Sequence, residues 1–194
     1  MKAPFSLNVP KVPARQVWQV NEDPEKLDRF YERFLGREGL RMLPDELKWL
    51  AVTHKSFDQG RRGFNTRLAF FGRQIIILEA MRSIVTSPTN SASKTADPFN
   101  RKPFEHPALA SVDNLAQKQP QDMVAKERLA RLAVDFGLHE VTRWKPRVPE
   151  NLKGSGLETV LNTSLFAIIG AISLQHGAEV AGRVVRERIL RRIE

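Results

Sequence analysis

The stretch NTRLAFFGRQIIILEAMRSIVT, residues 65–86, decides the fold of this chain. Asn65 belongs to the residue types favoured at helix N-caps, and the residues after it predict one long helix that ends near Thr86. The middle of this helix, FFGRQIIILEAM, is apolar nearly all round. A helix with that pattern is expected to be buried on several sides. The stretch therefore predicts a long helix in the interior of the domain.

Helical patterns also precede this central helix. Asp23 can accept backbone hydrogen bonds as an N-cap, and Pro24 fits the first helical turn, where its missing N–H is no loss. Apolar residues at three- and four-residue spacing then mark one helix face: Leu27, Phe30, Tyr31, Phe34 and Leu35. Gly36 and Gly39 are expected to end this first helix, and a second helix opens at Asp45.

Three more helices are predicted after the central one. Residues 123–136 form a helix ended by Gly137, Gly156 precedes the next helix, and Gly177 begins the last. The arginines of the last helix lie mostly on its outer side: Arg183, Arg186, Arg188, Arg191 and Arg192. No strand pattern and no internal repeat competes with these helices. The predicted fold class is all-α.

Two segments lack the helical period and set the predicted boundaries. Residues 1–22 form a basic, proline-containing arm with Lys2, Lys11 and Arg15. Residues 23–194 form one domain, in which residues 87–120 hold five prolines. A stretch of this length without regular structure is unusual inside a compact domain. We interpret it as an insertion that lies on a surface or a partner, with Phe99 and Phe104 as anchors.

The composition narrows the classes of partner. Among the 194 residues, 31 Lys and Arg against 22 Asp and Glu leave a formal charge of +9, which favours a polyanion such as nucleic acid or an anionic membrane surface. The absence of cysteine excludes disulfides, thiol nucleophiles and thiolate metal sites. No uninterrupted apolar run approaches the roughly 18 to 20 residues that a bilayer requires, so no membrane span is predicted.

Several motifs, in order, resemble the catalytic domain of the ribonuclease III family. LAVTHKS at 50–56 resembles the family's "LTHRS" helix, and NTRLAFFGR at 65–73 resembles its signature "NERLEFLGD". FAIIGAI at 166–172 resembles "EALIGAI", and ERLARLA at 127–133 matches the helix between them. The resemblance implies the family's all-helical fold, in which the signature helix lies at a two-fold dimer interface.

The departures from the family pattern concern its metal site. The resemblance implies two acidic groups at i and i+4 of the signature helix and two at i and i+3 of the later helix, which together hold Mg²⁺ and activate water. The matching positions here are Ala69 and Arg73, followed by Thr163 and Phe166. None of these side chains is a carboxylate, so the sequence predicts no bound metal, no cofactor and no hydrolysis.

The remaining features are similar to the fungal mitochondrial large-subunit ribosomal proteins of ribonuclease III type. No double-stranded RNA-binding domain is expected after residue 194. This resemblance implies a structural role in the mitochondrial matrix, with rRNA and neighbouring ribosomal proteins as partners. It also implies a heterodimer with a second ribonuclease III-like large-subunit protein, although the interface residues by themselves leave homodimer and heterodimer open.

Two sets of residues are predicted to make these contacts. The RNA-binding set comprises Lys2, Lys11, Arg15, Arg61, Arg62, Arg101, Lys102, Arg143, Lys145, Arg147 and Lys153. The dimer set comprises Leu68, Phe70, Phe71 and Ile75. Each set has a simpler interpretation, because the charges can be ordinary solvated side chains and the apolar stripe can belong to the domain's own core. Trp144 is likewise more typical of a core cap than of a base-stacking residue.

Three other functions fit the sequence less well. A surviving nuclease needs a relocated metal site, and the nearest acids, Glu79 and Glu158, are out of register with the lost ligands. A second alternative is a pseudoenzyme that activates a catalytic partner during RNA processing and does not belong to the ribosome. A membrane-surface protein would use the arginines of the last helix on anionic lipid. His54 is interpreted as a hydrogen-bonded helix histidine.

Overall fold

The computed structural model describes residues 18–88, 98–99, 101, 104, 106–109 and 111–193. Within these ranges regular structure is helical, apart from one isolated parallel bridge between Thr53 and Arg143. The all-α prediction is confirmed. The arm residues 1–17 and part of the insertion, including Lys2, Lys11, Arg15 and Lys102, lie outside the described residues.

Eleven α-helices form the described part of the chain. They are α1 Pro24–Leu35, α2 Gly39–Met42, α3 Asp45–Val52, α4 Thr66–Thr86, α5 Asn114–Gln117, α6 Pro120–Met123, α7 Lys126–Asp135, α8 Leu138–Val141, α9 Leu157–His176, α10 Ala178–Val184 and α11 Arg191–Ile193. Short 3-10 turns occupy Phe57–Gly60 and Pro107–Leu109, and a π turn at Val185–Leu190 joins α10 to α11. Asp23 caps α1 as predicted, since its carboxylate accepts the Glu25 N–H at 2.9 Å.

Helices α4 and α9 cross at the centre of the fold. Their crossing is made possible by two glycines, because a Cβ on Gly72 would lie 1.9 Å from the Phe166 carbonyl oxygen. A Cβ on Gly170 would lie 2.2 Å from the Leu68 carbonyl oxygen. Backbone-to-backbone contact of this kind leaves no room for any side chain. The glycines therefore set the distance between the two helices on which the candidate site is built.

Asn65 precedes α4 as predicted, but its side chain does not cap the helix. The side chain is fully buried, and its amide nitrogen donates to the Ala51 carbonyl at 2.9 Å and to the Ser164 hydroxyl at 3.2 Å. These bonds tie α4 to α3 and α9. Asn65 therefore occupies the predicted N-cap position, but its side chain makes no capping bond, because the amide is oriented towards these partners in the interior.

Two predicted boundaries also differ. Gly39 starts α2 instead of simply ending α1, and a Cβ there would lie 2.2 Å from the Leu35 Cβ. The single helix predicted over residues 123–136 is divided into α6 and α7. Met123 and Leu129 are both buried, yet residues six apart on one helix point about 120° away from each other. The break between α6 and α7 allows both side chains to enter the core.

The end of the insertion around α5 packs against the domain. Asn114 in α5 is buried, and its amide nitrogen donates to the carbonyl oxygens of Ile84 and Ser87, each at 3.2 Å. The insertion was predicted to lack regular structure, and this is wrong for the described residues 106–109 and 111–120, which include α5. Phe99 and Phe104 are exposed, so the described residues do not bury the two predicted anchors.

Helix α9 is the most apolar element of the fold. By length and composition it passes as a helix that could cross a bilayer, but 67% of its most apolar window is buried inside the protein. Neighbouring helices therefore cover most of this window, as they do for the core helix of a folded domain. Its buried residues include Leu161, Leu165, Ile168, Ile169 and Ile172.

Candidate functional site

The four positions of the lost metal site come together in one cleft between α4 and α9. Ala69, Arg73, Thr163 and Phe166 line it, as their sequence register predicted, and its volume is about 490 Å³. The α4–α9 crossing creates this convergence from segments about ninety residues apart. The rest of the lining is mainly apolar or neutral: Thr66, Phe70, Ile76, Ile77, Gln121, Val124, Ala125, Lys126, Thr159 and Asn162.

The chemistry of this cleft does not suit a hard cation. None of its described lining residues is Asp or Glu, while Arg73 and Lys126 each bring a positive charge. The Thr163 hydroxyl donates to the Thr159 carbonyl at 2.7 Å and is committed to its own helix. Divalent cations such as Mg²⁺ require oxygen ligands that include carboxylates. The described residues also contain no group of three His, Asp or Glu side chains able to hold a metal ion.

The two nearest acids do not replace the missing ligands. Glu79 is buried on the other side of α4, where it pairs with Arg186 of the π turn and lies 3.9 Å from Arg82. Glu158 lies 4.0 Å from the Lys126 ammonium group. Neither carboxylate is among the residues that line the cleft.

The predicted dimer residues fall into two groups. Phe70 is 72% exposed and Phe71 is 40% exposed, while Leu68 is partly buried against the core. Ile75 is only 7% exposed and belongs to the chain's own core, so we exclude it from the interface. Leu78 on α4 is also exposed and was not predicted. We call Phe70, Phe71 and Leu78 the α4 face.

Hydrogen bonds hold the two predicted basic loops next to each other. The Arg143 N–H donates to the Val52 carbonyl at 2.8 Å, and the His54 N–H donates to the Arg143 carbonyl at 2.9 Å. The Lys145 N–H donates to the Ser56 hydroxyl at 3.0 Å. These bonds bring residues 53–62 and 143–147 onto one surface. We call their exposed side chains, namely Lys55, Arg61, Arg62, Lys145 and Arg147, the basic loop surface.

Arg143 is half-buried, whereas the neighbouring basic residues are exposed. Its guanidinium carbon lies 5.1 Å from the centre of the Trp49 ring and 4.5 Å from that of Phe57. Burial, and secondarily the positive charge of Arg62, lower the pKa of Arg143, while Glu22 opposes that shift. Because the side chain is stacked on two rings within the fold, we assign it to joining the loops and not to the RNA-binding set.

The remaining predicted cations are exposed where the structure describes them. Lys153 lies in the loop before α9, and Arg101 lies in the insertion with its guanidinium 5.1 Å from the centre of the Phe99 ring. Trp144 is buried and packs edge-on against Trp18 at 5.8 Å between ring centres. Its core-cap interpretation is confirmed, and base stacking is excluded by its burial.

His54 supports the basic loop surface in its neutral form. Its Nδ1 accepts the Ser56 N–H at 3.2 Å and lies 3.0 Å from the Ser56 hydroxyl, so a proton on Nδ1 would remove an acceptor. Burial, followed by the charge of Lys55, lowers the pKa of His54 below its usual value. The hydrogen-bonded role predicted for this histidine is confirmed, but its placement on a helix is wrong, because α3 ends at Val52.

This arrangement predicts that stability falls in mild acid. The unfolded chain binds a proton at His54 near its ordinary pKa of about 6.5, whereas the folded chain resists that proton until lower pH. We expect the free energy of unfolding, measured in urea, to fall as the pH drops from about 7.5 to about 5.5. His54→Gln should flatten this dependence, and His139→Gln at an exposed position should leave it unchanged. Equal slopes in His54→Gln and the unaltered chain would contradict the assignment.

Sequence reasoning missed the two crossing glycines. Glycine is unfavourable inside a helix, so Gly72 and Gly170 within apolar helical segments are a signal of close packing that single-sequence analysis can detect. What it cannot detect is that the two glycines meet. The distances to Phe166 and Leu68 come only from the folded arrangement.

The chain is similar to one known protein family and to several known proteins. The model of the ribonuclease-III-like family matches residues 44–193. Over 194 residues the chain is 60% identical to large ribosomal subunit protein mL57 of Neurospora crassa, covering all of this chain and 72% of that protein. It is 34% identical over 154 residues to ribonuclease 3 of Pseudomonas fluorescens, covering 78% of this chain and 54% of that enzyme.

Two solved structures of another protein have a similar fold. The nuclease domain of ribonuclease III from Campylobacter jejuni superposes with a TM-score of 0.59 at 23% identity, covering 88% of this chain and 95% of that one. A second structure of the same domain gives a TM-score of 0.55 at 24% identity and covers 76% of this chain and 87% of that one. At these identities the similarity concerns the fold alone.

Proposed function

The chain belongs to the ribonuclease-III-like family, and from that premise we propose that it is a non-catalytic, rRNA-binding structural protein of the mitochondrial large ribosomal subunit. The 60% identity to mL57 over the full chain is the observation that carries this proposal. The proposal places the protein in the mitochondrial matrix, with rRNA and neighbouring ribosomal proteins as partners. The basic loop surface, Lys153 and the arm are the regions proposed to contact RNA phosphates.

The residues that line the cleft between α4 and α9 support the proposal that the protein is non-catalytic. Hydrolysis in this fold depends on carboxylates that hold a divalent cation, and all four matching positions carry other side chains here. Arg73 and Lys126 would repel such a cation, while Phe70 and Phe166 make part of the cleft apolar. We therefore propose that the protein has a structural role, which depends on its shape and its basic surface and not on catalysis.

We predict that the purified chain does not cleave duplex RNA with Mg²⁺ or Mn²⁺. The physical reason is that no described residue lining the cleft supplies a carboxylate to hold the ion that would activate water. Cleavage is measured with end-labelled duplex RNA on denaturing gels, and an active bacterial ribonuclease III serves as the positive control. Metal-dependent cutting that disappears in Glu158→Gln or Thr163→Ala would overturn the proposal of a non-catalytic protein.

The α4 face is proposed to pair with a second ribonuclease III-like chain. Phe70, Phe71 and Leu78 form an exposed apolar patch that a partner would cover. Arg67 and Arg73 are exposed on the same helix, while its acid, Glu79, is buried inward. A second copy of this chain would bring like charges together, whereas a partner with acidic residues would compensate them. This arrangement favours a heterodimer.

Sedimentation tests the ribosomal role and the α4 face together. An epitope-tagged chain, expressed in the cells from which the sequence comes, should migrate with mitochondrial large subunits on a sucrose gradient after a high-salt wash. Phe70→Ser combined with Phe71→Ser should reduce that association about tenfold or more, because two aromatic side chains at an interface centre carry much of its binding energy. Val134→Ser, at an exposed apolar position on another helix, should co-migrate as the unaltered chain does.

The outcomes separate the proposal from its alternative. A chain that never co-migrates with large subunits, but forms a complex with an RNA-processing nuclease, would be a non-ribosomal pseudoenzyme partner. Co-migration that is insensitive to the Phe70 and Phe71 changes would retain the ribosomal role and contradict the proposed pairing surface.

A further inference from the structure

A second basic site lies away from the basic loop surface, where the end of α4 meets the last helical segment. It is a cleft of about 450 Å³ lined by Arg82, Ser83, Thr86, Arg186, Leu190 and Arg191. Three arginines and Ser83 therefore border one concave surface, while the Thr86 hydroxyl donates to the Arg82 carbonyl at 2.8 Å and is committed to its own helix. Leu190 is buried and forms part of its apolar floor.

The π turn is what places two of these arginines together. The Arg191 N–H donates to the Arg186 carbonyl, which is the five-residue hydrogen bond of a π turn. In an α-helix, residues five apart point about 140° away from each other. The wider turn brings the two positions closer in angle, so both side chains border the cleft. Insertions of this type inside helices occur frequently at functional sites.

Positive charge exceeds negative charge at this cleft. Glu79 is the acid in contact with its arginines: it pairs with Arg186, and its carboxylate lies 3.9 Å from Arg82. The structure gives Arg191 no ion pair with a described residue, and its side chain is exposed. Among the described residues, one carboxylate against three guanidinium groups leaves an excess of two positive charges. Guanidinium groups and hydroxyls are the donors that proteins use to bind phosphate oxygens.

We propose that this cleft, lined by Arg82, Arg186 and Arg191 with Ser83, binds a backbone phosphate of RNA. The inference rests on the proposed rRNA-binding role and adds a contact site on a different part of the molecule. Arg82 and Arg191 are the exposed donors of this cleft. Arg186 acts mainly as the link to buried Glu79.

The same arginines do not form a membrane-binding helix. A helix that lies on lipid needs an exposed apolar face opposite its charged face. The apolar side chains of this segment, Val185, Ile189 and Leu190, are all buried in the domain core. The arginines therefore project from a helix whose apolar side is already covered. RNA phosphate, and not a lipid surface, is the ligand that this geometry fits.

Binding of a fluorescein-labelled RNA duplex to the full chain, measured by fluorescence anisotropy over a salt series, tests the proposal. The Arg82→Gln/Arg191→Gln double variant should bind about fivefold more weakly at low salt. It should also reduce the slope of log affinity against log salt by about 2, since each lost phosphate contact removes about 1. Circular dichroism and the urea midpoint of each variant show that it is folded.

The matched control is Arg41→Gln/Arg183→Gln, which removes the same charge from two exposed arginines outside the cleft. It should leave the slope within experimental error of the unaltered chain. Equal losses in both double variants would overturn the cleft as a phosphate site while leaving RNA binding itself intact. A chain that binds no duplex at all would overturn both the cleft and the proposed rRNA-binding role.

A third arm uses phosphatidylcholine vesicles that contain phosphatidylserine. We expect no vesicle binding that depends on Arg82 or Arg191. If the double variant instead loses vesicle binding and keeps RNA binding, the cleft serves a lipid headgroup and the proposal is wrong.

Discussion

Gly72→Ala is expected to lower the free energy of unfolding by about 3 kcal/mol, at the upper end of the usual cost of overpacking a core. The added methyl group would lie 1.9 Å from the Phe166 carbonyl oxygen and 2.6 Å from the Gly170 nitrogen. Backbone atoms cannot move aside as a side chain does, so α4 and α9 must separate. The higher helix propensity of alanine, worth about 1 kcal/mol, offsets only part of this cost. Urea unfolding followed by circular dichroism measures the change.

Gly170→Ala should have a similar effect, because its methyl group would lie 2.2 Å from the Leu68 carbonyl oxygen. The control is Gln74→Ala, an exposed position on α4, which should alter the free energy of unfolding by less than about 0.5 kcal/mol. If Gly72→Ala is as stable as the Gln74 control, the two helices do not cross at these glycines. The geometry of the emptied cleft would then need revision, since the same crossing forms it.

Arg186→Met is expected to cost about 2 kcal/mol, because it leaves the buried Glu79 carboxylate without its closest cation. This figure is below the range for a fully buried pair, since the Arg186 side chain is 41% exposed and the cation is only partly removed from water. Arg82 compensates little from 3.9 Å, with a side chain that is 66% exposed. The loss is measured as a lower urea midpoint.

A double-mutant cycle distinguishes the ion pair from simple packing. Glu79→Gln combined with Arg186→Met should recover most of the stability lost in Arg186→Met, because no carboxylate then remains buried. Arg183→Met on the same helix, at an exposed position, is the control and should be nearly neutral. If the double variant is no more stable than Arg186→Met, the loss comes from packing of the arginine stem and not from the stranded charge.

The helix pattern of this protein could be predicted from its sequence because the signals are local. Asp23 and Pro24 start α1 where their capping properties indicate, and the glycines at 156 and 177 mark the bounds of α9. Predictions failed where a long-range contact competed with a local preference. The Asn65 side chain donates to partners in α3 and α9 and makes no capping bond at the start of α4. The chain breaks between α6 and α7 so that Met123 and Leu129 are both buried.

In the candidate site, too, local features could be predicted from the sequence and long-range contacts could not. The resemblance to the ribonuclease III family implies four acidic ligand positions, and alignment of its motifs with this sequence shows that other side chains occupy them here. Ile75 was assigned to an interface because helix periodicity cannot tell a core face from a partner face, and its burial decided the matter. Arg143 was grouped with exposed cations because its charge is visible in sequence, whereas its stacking between Trp49 and Phe57 is not.

By itself, the sequence determined that this chain is helical and basic, and that the four positions matching the family's acidic ligands carry no carboxylate, because side-chain chemistry and helical period are properties of neighbouring residues. The tertiary structure alone decided that Gly72 meets Gly170 and that residues 53–62 lie beside 143–147. It also decided that Arg82 shares a cleft with Arg186 and Arg191. These juxtapositions depend on how helices distant in sequence pack, and packing is determined by the shapes of both partners at once.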